Sequence, residues 1–333
     1  MVQKLVIRNE VVKVKGRVKV ITIKKEEFDK FLKLTKLRIL DKEYNALMPP
    51  LDNLQKNTID VNGLATLIQQ YMTAIIHQSG NTSGTSPAQM VITTSTSTVP
   101  LSYTGSINPN SQGVTVYIQV FQESGNYTFQ YFYIGFDTTD SSYTTSQIEL
   151  YVSAYAHTNT QYAPGCPNGN TSIFTNTVRI AYTSTSFTKT PDSYLFIVWL
   201  IEFQNIPPYL LFFTPTLQNN LNIEAMTECA TSTSDSVYFN NGKCNLTCGG
   251  NCPSAGLGGF VTFVQNNNVI LEFPLAISLG AGVSSVEVLL CTSTSYINMP
   301  TFSGSISTTI APPVSGATFY VVIATITITY QAS

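Results

Sequence analysis

Charged residues are scarce in this sequence. Asp, Glu, Lys and Arg make up 11% of its 333 residues, whereas about a quarter is usual in globular chains. When few carboxylates form native ion pairs, little of the free energy of unfolding depends on their ionisation. The composition therefore predicts a protein that resists acid unfolding and suits a hot or acidic exterior.

Recognisable catalytic motifs are also missing. The chain has two histidines, His77 and His157, no G-x-S-x-G nucleophile elbow and neither of the glycine-rich loops that bind phosphates. His77 lies near the end of a predicted helix, where a cation is favoured without any catalytic role. The acidic residues after position 60 are scattered and have no distinctive setting. We therefore expect no catalytic residues, no cofactor and no enzymatic activity.

No apolar run reaches the roughly 18 residues that a membrane-spanning helix needs. The best candidate, Tyr194–Phe203, is shorter and includes Glu202. The N-terminus lacks the apolar segment and small residues of a secretory signal peptide. Asn-x-Ser/Thr triplets nevertheless indicate an exposed surface, because they are glycosylation candidates. These triplets begin at Asn81, Asn126, Asn170 and Asn245.

The six cysteines are disulfide candidates. Three of them follow each other at C-x3-C-x3-C spacing, which does not fit the C-x2-C pairs of structural zinc sites. We favour a disulfide-tied loop there over a metal site or free thiols, and spacing alone leaves the connectivity open. The full set is Cys166, Cys229, Cys244, Cys248, Cys252 and Cys291.

The segment Asp137–Ser142 (DTTDSS) resembles half of a calcium-binding loop. It lacks the glycine and the terminal glutamate of an EF-hand. We therefore predict a turn here and expect no metal.

The few charges are concentrated near the N-terminus. Residues 1–60 hold 14 of the 17 Lys and Arg and 8 of the 19 Asp and Glu, so the rest of the chain is acidic. Val11–Ile23 alternates around Gly16, and this pattern predicts a β-hairpin with the three-residue loop Lys15-Gly16-Arg17. Residues 1–57 would form a small basic base, completed by a helix over Glu26–Leu40.

The predicted hairpin places like charges opposite each other, which is unfavourable unless an anion compensates. Solvation beside nearby glutamates is one explanation. Contact with nucleic acid, with the headgroups of an internal membrane or with an acidic neighbouring subunit is the other. The candidate anion-contacting residues are Lys13, Lys15, Arg17, Lys19, Lys24 and Lys25.

Residues 58–78 predict an amphipathic helix, with Asp60 as its N-cap. Its apolar residues recur at 3-4-3-4 spacing, so the helix packs either against copies of itself in an oligomer or within its own chain. Residues 79–100 are rich in Ser, Thr and Gly and predict an extended linker. The candidate oligomer-helix residues are Val61, Leu64, Ile68, Tyr71 and Ile75.

Beyond residue 100, segments rich in Val, Ile, Tyr, Phe and Thr alternate with turn residues. None of these segments has helical periodicity. The pattern predicts a mainly β protein with antiparallel strands packed in layers. The length suits two jelly-roll-like β-sandwich domains, at residues 101–215 and 216–333.

This layout resembles the turret, vertex and spike proteins of virions that infect hyperthermophilic, acid-loving archaea. The resemblance rests on the Lys-rich N-terminus, the connector Thr93–Thr98 (TTSTST) and the Ser/Thr/Asn/Tyr-rich β body with its glycosylation triplets. It implies a virion protein assembled in the host cytoplasm as a symmetric homo-oligomer. Its base would contact other capsid proteins, and its glycosylated β domains would face outward. Outer loops such as His157–Asn170 would meet a host receptor or glycan.

Three other classes share parts of the layout. A major capsid subunit would also self-associate and need a basic inner surface. An archaeal cell-surface or filament subunit has similar Ser/Thr-rich sandwiches, although an export signal is expected in it. A secreted polysaccharide hydrolase would need a catalytic pair among the scattered acids of the body.

Overall fold

The computed structural model describes residues 2–28, 54–76, 82–104, 107–158, 171–172, 177–206, 221–222, 237–240, 261–278, 285–291, 303–309 and 319–333. Most of these residues lie in strands, which confirms the predicted mainly β fold class. Residues 25–28 are helical, and helix α1 spans Val61–Ile76. The strands are β1 (Val2–Lys24), β2 (Gln55–Lys56), β3 (Thr58–Ile59), β4 (Thr82–Thr94), β5 (Thr98–Leu101), β6 (Gln112–Glu123), β7 (Asn126–Asp137), β8 (Tyr143–Thr158), β9 (Thr171–Ser172), β10 (Thr177–Lys189), β11 (Ser193–Ile206), β12 (Leu221–Asn222), β13 (Val237–Asn240), β14 (Val261–Gln265), β15 (Asn268–Ser278), β16 (Ser285–Cys291), β17 (Ser303–Thr309) and β18 (Phe319–Ala332).

The first sheet is built around β1, in the strand order β14-β15-β18-β1-β11-β7-β6. The first half of β1 pairs in parallel with β18, and its second half pairs antiparallel with β11. Where β18 ends, β2 continues along the same side of β1 by pairing with Arg17 and Val18. The N-terminal strand therefore joins β18 to β11 at the centre of the sheet, and it is paired on both sides at Lys13, Val14, Arg17 and Val18.

The second sheet has the order β12-β4-β8-β10-β3, with β5 beside β4 and β9 beside β8. Helix α1 contacts β8 and β10 of this sheet and also β14, β15 and β18 of the first sheet. It therefore lies between the two layers, where its buried side chains are Leu64, Ala65, Leu67 and Ile68. Strands β13, β16 and β17 form a separate small sheet.

Strand β11 explains the longest apolar run of the sequence. Ile201 and Trp199 lie on the same face as the buried Val18 of β1 and contribute to the core beside the second layer. Phe196 lies on the other face, where Phe28 covers it at a ring distance of 5.6 Å. A strand that is covered on both faces is apolar along its whole length rather than at alternate positions.

The predicted hairpin over Val11–Ile23 is wrong, because these residues continue β1 without a turn. Gly16 is needed for close packing rather than for a left-handed conformation. A Cβ atom at this position would lie 2.5 Å from Ile59 Cδ1 and 2.8 Å from Asn57 Cγ. Alternation of apolar and polar residues with period two is the same in one long strand and in two short ones. The pattern therefore does not show whether the chain turns at Gly16.

The separate basic base at residues 1–57 is also wrong, since β1 pairs with β11 and β18 of the β body. Of the helix predicted over Glu26–Leu40, residues 25–28 are helical and the remainder lies outside the described residues. The predicted boundary at 215/216 also lies outside them. The division into two sandwich domains stays a prediction.

The predicted linker over residues 79–100 is wrong where the structure describes it, because β4 and β5 belong to the second sheet. Strand β4 pairs with β8 from Ser83 to Thr94. The side chains of Met90, Ile92 and Thr94 alternate inward and are buried. Composition suggested a linker, but threonine is β-branched and fits a strand whose alternate positions are apolar.

We expect Val14→Asp to abolish folding or to lower the free energy of unfolding by several kcal/mol, because Val14 is fully buried and an unpaired carboxylate is costly there. The matched control is Lys13→Asp, which changes the adjacent exposed residue and should stay within about 0.5 kcal/mol of the wild type. Guanidinium unfolding measures both. Equal stability of the two variants would contradict a central position for β1.

Candidate functional site

The basic residues of β1 form one row on a single face. Lys13, Lys15, Arg17 and Lys19 alternate with the buried Val12, Val14 and Val18 and therefore point to the opposite face of the sheet. Neighbouring cations in the row are two residues apart, which is about 6.6 Å along a strand. Lys13 is exposed and the other three are half-buried. We call these four residues, which follow each other along one face of β1, the basic row.

One carboxylate lies beside the basic row. In the register of β1 and β11, Glu202 is opposite Lys15. Its Oε2 accepts a hydrogen bond of 2.6 Å from Gln130 Nε2, and its Oε1 accepts one from Gln204 Nε2. On the other side, Arg17 is opposite Lys56 of β2, which adds a further cation. The two glutamines engage the carboxylate, and among the described residues named here the cations of the row outnumber it.

The other two predicted basic contacts are arranged differently. Lys24 is exposed at the end of β1. Lys25 forms an ion pair with Asp140, and its backbone N–H donates to the carbonyl of Asp192 at 3.0 Å. The Lys25 hydrogen bond holds the pKa of the Asp140 carboxyl below its usual range. The structure therefore brings four of the six predicted residues together and uses Lys25 to tie down a loop.

A buried lysine–carboxylate cluster lies at the same end of the body. The side chains of Lys189 and Asp137 are both fully buried, with 3.9 Å between Nζ and Oδ1. Lys189 Nζ donates to the carbonyls of Thr139 at 2.7 Å and Ser141 at 3.1 Å, and at longer range to that of Thr190. Burial lowers the pKa of Lys189.

The Asp137 carboxylate is fully engaged by donors from its own loop. It accepts hydrogen bonds from the backbone N–H and Oγ1 of Thr139, from Ser141 Oγ at 2.7 Å and from Tyr143 OH at 3.0 Å. The predicted turn at DTTDSS is present between β7 and β8. The ammonium group of Lys189 occupies the position beside the loop carbonyls where a metal cation would otherwise bind. The loop is therefore closed around Lys189 of the same chain.

A second ionic cluster fixes the start of α1. Asp60 is the N-cap as predicted, since its Oδ1 accepts from the Gly63 N–H at 3.0 Å. Its Oδ2 accepts from Arg179 Nε at 3.2 Å and Nη2 at 3.0 Å, while Arg179 Nη1 donates to Glu149 at 2.8 Å. These two carboxylates raise the pKa of Arg179. The guanidinium also lies 4.6 Å from the centre of the Tyr182 ring.

Sequence reasoning missed both Lys189 and Arg179. Each is the cationic member of a cluster whose acid comes from another segment, and neither lies in a motif. The only available signal was the rarity of basic residues beyond position 60, where the chain has three. A lone cation in a charge-poor body is expected to have an internal partner, because burying an unpaired charge is costly.

Most other predicted positions lie outside the described residues. This holds for His77, for Asn81, Asn170 and Asn245, and for five cysteines: Cys166, Cys229, Cys244, Cys248 and Cys252. Asn126 is half-buried and opens β7 directly after the turn at Ser124 and Gly125. Cys291 ends β16. Glycosylation and disulfides stay predictions.

The predicted oligomer helix is packed within its own chain where its side chains are described. Leu64 and Ile68 are buried between the two layers, and Val61 is half-buried. The side chains of Tyr71 and Ile75 lie outside the described set. At Leu64 and Ile68 the intramolecular alternative therefore accounts for the apolar spacing.

The described residues contain no group of three or more His, Cys, Asp or Glu side chains placed to hold a metal ion. Within the same part of the chain, no helix is long and apolar enough to cross a membrane.

Comparison with known proteins identifies a relative. The chain is 51% identical to a protein named uncharacterized protein 60, from Sulfolobus islandicus filamentous virus (isolate Iceland/Hveragerdi). The alignment of 348 positions covers 100% of this chain and 99% of the relative. The chain belongs to this viral protein family. The family relation agrees with the archaeal viral origin that the sequence layout implied. No family model matches the chain, and no solved structure does.

We expect Lys189→Met to lower the free energy of unfolding by about 3–5 kcal/mol, because it leaves the buried Asp137 carboxylate without its cation. Lys24→Met is the matched control at an exposed position and should stay within about 0.5 kcal/mol of the wild type. Denaturant unfolding measures both. Combining Lys189→Met with Asp137→Asn should cost less than the sum of the single changes, and strict additivity would argue against the pair.

We expect Gly63→Ala to destabilise the protein by about 1–3 kcal/mol through overpacking, although alanine is favoured over glycine in helices by about 1 kcal/mol. The added Cβ would overlap the Arg179 carbonyl oxygen and lie 3.0 Å from the carbonyl carbon. Asn62→Ala is the control on the exposed side of the same turn. Thermal unfolding decides the sign, and a higher melting temperature for Gly63→Ala would refute the contact between α1 and β10.

Proposed function

We propose that the protein is a non-enzymatic structural subunit of an archaeal virus particle. The observation that carries the proposal is the full-length relation, at 51% identity, to a protein of a filamentous virus. Because both chains are covered almost completely, the relation includes every segment of the layout, from the basic N-terminal strand to the last strand of the β body.

The described fold supports this proposal because two of its few cations form ion pairs that connect separate segments of the β body. Lys189 joins the loop after β7 to the end of β10, and Arg179 joins the start of α1 to the second sheet. Both cations are held by carboxylates of the same chain. Such internal links between segments are compatible with a subunit that functions outside a cell.

The virus of the relative suggests where such a subunit would lie. Turrets and vertex proteins belong to shells with closed point-group symmetry, whereas a filament is an open helical assembly with a side surface and two ends. We therefore place the subunit on the surface or at the ends of a filamentous particle rather than at an icosahedral vertex. Its β layers would be displayed outward and would meet a host receptor or glycan.

The basic row is the surface that we assign to the particle interior. Its cations lie on one face at two-residue spacing, and Glu202 lies opposite Lys15. Such a stripe favours a partner with repeated negative charge, and nucleic acid, anionic headgroups and an acidic capsid subunit all meet that requirement. The basic row is part of β1, which is paired within the first sheet. The proposed contact surface is therefore fixed rigidly to the β body and is not a separate domain.

The decisive experiment is quantitative mass spectrometry of particles purified by density gradient from infected cells. Peptides of this protein should co-purify with the particles at a constant ratio to the genome, while a host ribosomal protein, measured as the contamination control, is depleted. The same measurement on the cell surface fraction and on particle-free medium completes the test.

The outcomes separate the candidate functions. Low copy number per particle supports an end or spike subunit, and a copy number that scales with filament length supports the main capsid subunit. Enrichment in the host surface fraction with depletion from particles would overturn the proposal in favour of a cell-surface subunit. Recovery only from the particle-free medium would favour a secreted protein, with a polysaccharide hydrolase as the first candidate.

A further inference from the structure

We propose that two copies of the chain associate through the outer edge of β6, so that their first sheets join across a twofold axis. The interaction surface is the backbone of residues Val116–Gln122. The occupant is the same segment of a second copy. The proposal concerns the isolated protein, and it stands or falls independently of where the protein resides.

The hydrogen bonds of Val114 show which backbone groups of β6 point away from β7. Its N–H donates to the carbonyl of Ser102 at 2.8 Å, and its carbonyl accepts from the N–H of Thr104 at 3.0 Å. Both groups therefore point away from β7. Backbone groups alternate in direction along an antiparallel strand, and β6 pairs with β7 without a register shift. The N–H and C=O groups of Val116, Ile118, Val120 and Gln122 consequently point outward too.

These four residues form the open part of the edge. After Thr104 the chain leaves the edge, because Ile107 packs onto the face of the sheet beside Phe136. Within the part of the chain that the structure describes, β6 is the last strand on this side of the sheet. Phe121, Gln122 and Glu123 are exposed, with 47% of Phe121 accessible to solvent.

The composition of this edge sets it apart from the other long edges that the structure describes. Strand β6 has 12 residues. Strand β10 has 13 residues, of which β3 pairs with Ala181 and Tyr182, and its remainder ends in Lys189. Strand β11 pairs with β1 from Lys13 onward, and the part of β1 before Lys13 contains Lys4, Arg8 and Glu10. Short strands, charges, prolines and bulges protect free edges in natural proteins. Residues 114–122 (VTVYIQVFQ) contain no charge and no proline.

The geometry of the edge selects one register for a second copy. If Gln119 of each copy lies on the twofold axis, Val116 pairs with Gln122 of the second copy and Ile118 with its Val120. All four outward-pointing residues are then used, and each such pair exchanges two N–H···O bonds. Moving the axis to Ile118 would place Gln122 of the second copy against Val114, whose groups are already bonded. Moving it to Val120 would run a pair into the turn at Ser124.

This self-complementarity identifies the occupant as a second copy. The segment is uncharged, so it offers no charge pattern for a different partner to match. Its free stretch is symmetric about Gln119, which an isologous contact requires because the same surface must serve both subunits. The shared sheet would also bring Phe121 opposite position 117 of the second copy, on the same face as Gln119.

The test uses charge complementation at the axis. Sedimentation equilibrium of the purified wild type should give a dimer, at twice the chain mass of 36.4 kDa. Gln119→Lys and Gln119→Glu each place like charges opposite each other and should weaken the dimer on the order of fivefold. An equimolar mixture of the two variants should recover the wild-type dissociation constant, since unlike charges then meet.

Two further variants separate the interface from the fold. Ser186→Lys adds the same charge at an exposed position of β10 and should leave the dimer unchanged. Gln122→Pro removes an outward N–H and should weaken the dimer without lowering the melting temperature, because prolines are tolerated where the N–H faces outward. A wild-type monomer at high micromolar concentration, an open polymer, or a dimer unaffected by both Gln119 variants would overturn the proposal.

Discussion

The position of β1 between β18 and β11 is the constraint on which the rest of the structure depends. Its backbone hydrogen-bonds to two strands that are far from it in the sequence, one at 193–206 and the other at 319–332. The buried face of β1 then meets Phe203, Trp199 and the other residues of the interlayer core. Without β1 the first sheet would separate into two unconnected halves, β14-β15-β18 and β11-β7-β6.

Charge is used in this protein chiefly to join elements, and each ionic cluster lies where two segments meet. Arg179 connects the helix start to a strand, while Lys189 connects a loop to a strand end. Both guanidinium and ammonium groups have several carbonyl or carboxylate acceptors, which offsets the cost of their desolvation. The basic row differs from these clusters, because its four cations lie on one face of one strand and Glu202 lies opposite Lys15 in the register. This concentration of positive charge is what makes the row a candidate for an external anion.

Local patterns in the sequence predicted local structure well. The spacing of apolar residues and the Asp60 cap located α1, and the β-branched and aromatic segments located most strands of the body. The errors concern long-range pairing. The alternation over Val11–Ile23 is the same whether the chain turns at Gly16 or continues as one strand. Pairing with the distant strands β11 and β18 determines that it continues. Residues 82–94 have the composition of a linker, and their burial depends on pairing with the distant β8. The role of Lys189 depends on Asp137, which lies 52 positions earlier in the chain.

The parallel pairing of β1 with β18 has a consequence for the synthesis of the protein. Residues 2–14 leave the ribosome before their partners at 321–332, which are made more than 300 residues later. One side of β1 therefore stays without this partner until β18 has been made. Any product that stops before residue 319 lacks the strand that closes the sheet. The first sheet can therefore be completed only in chains that have been translated through β18.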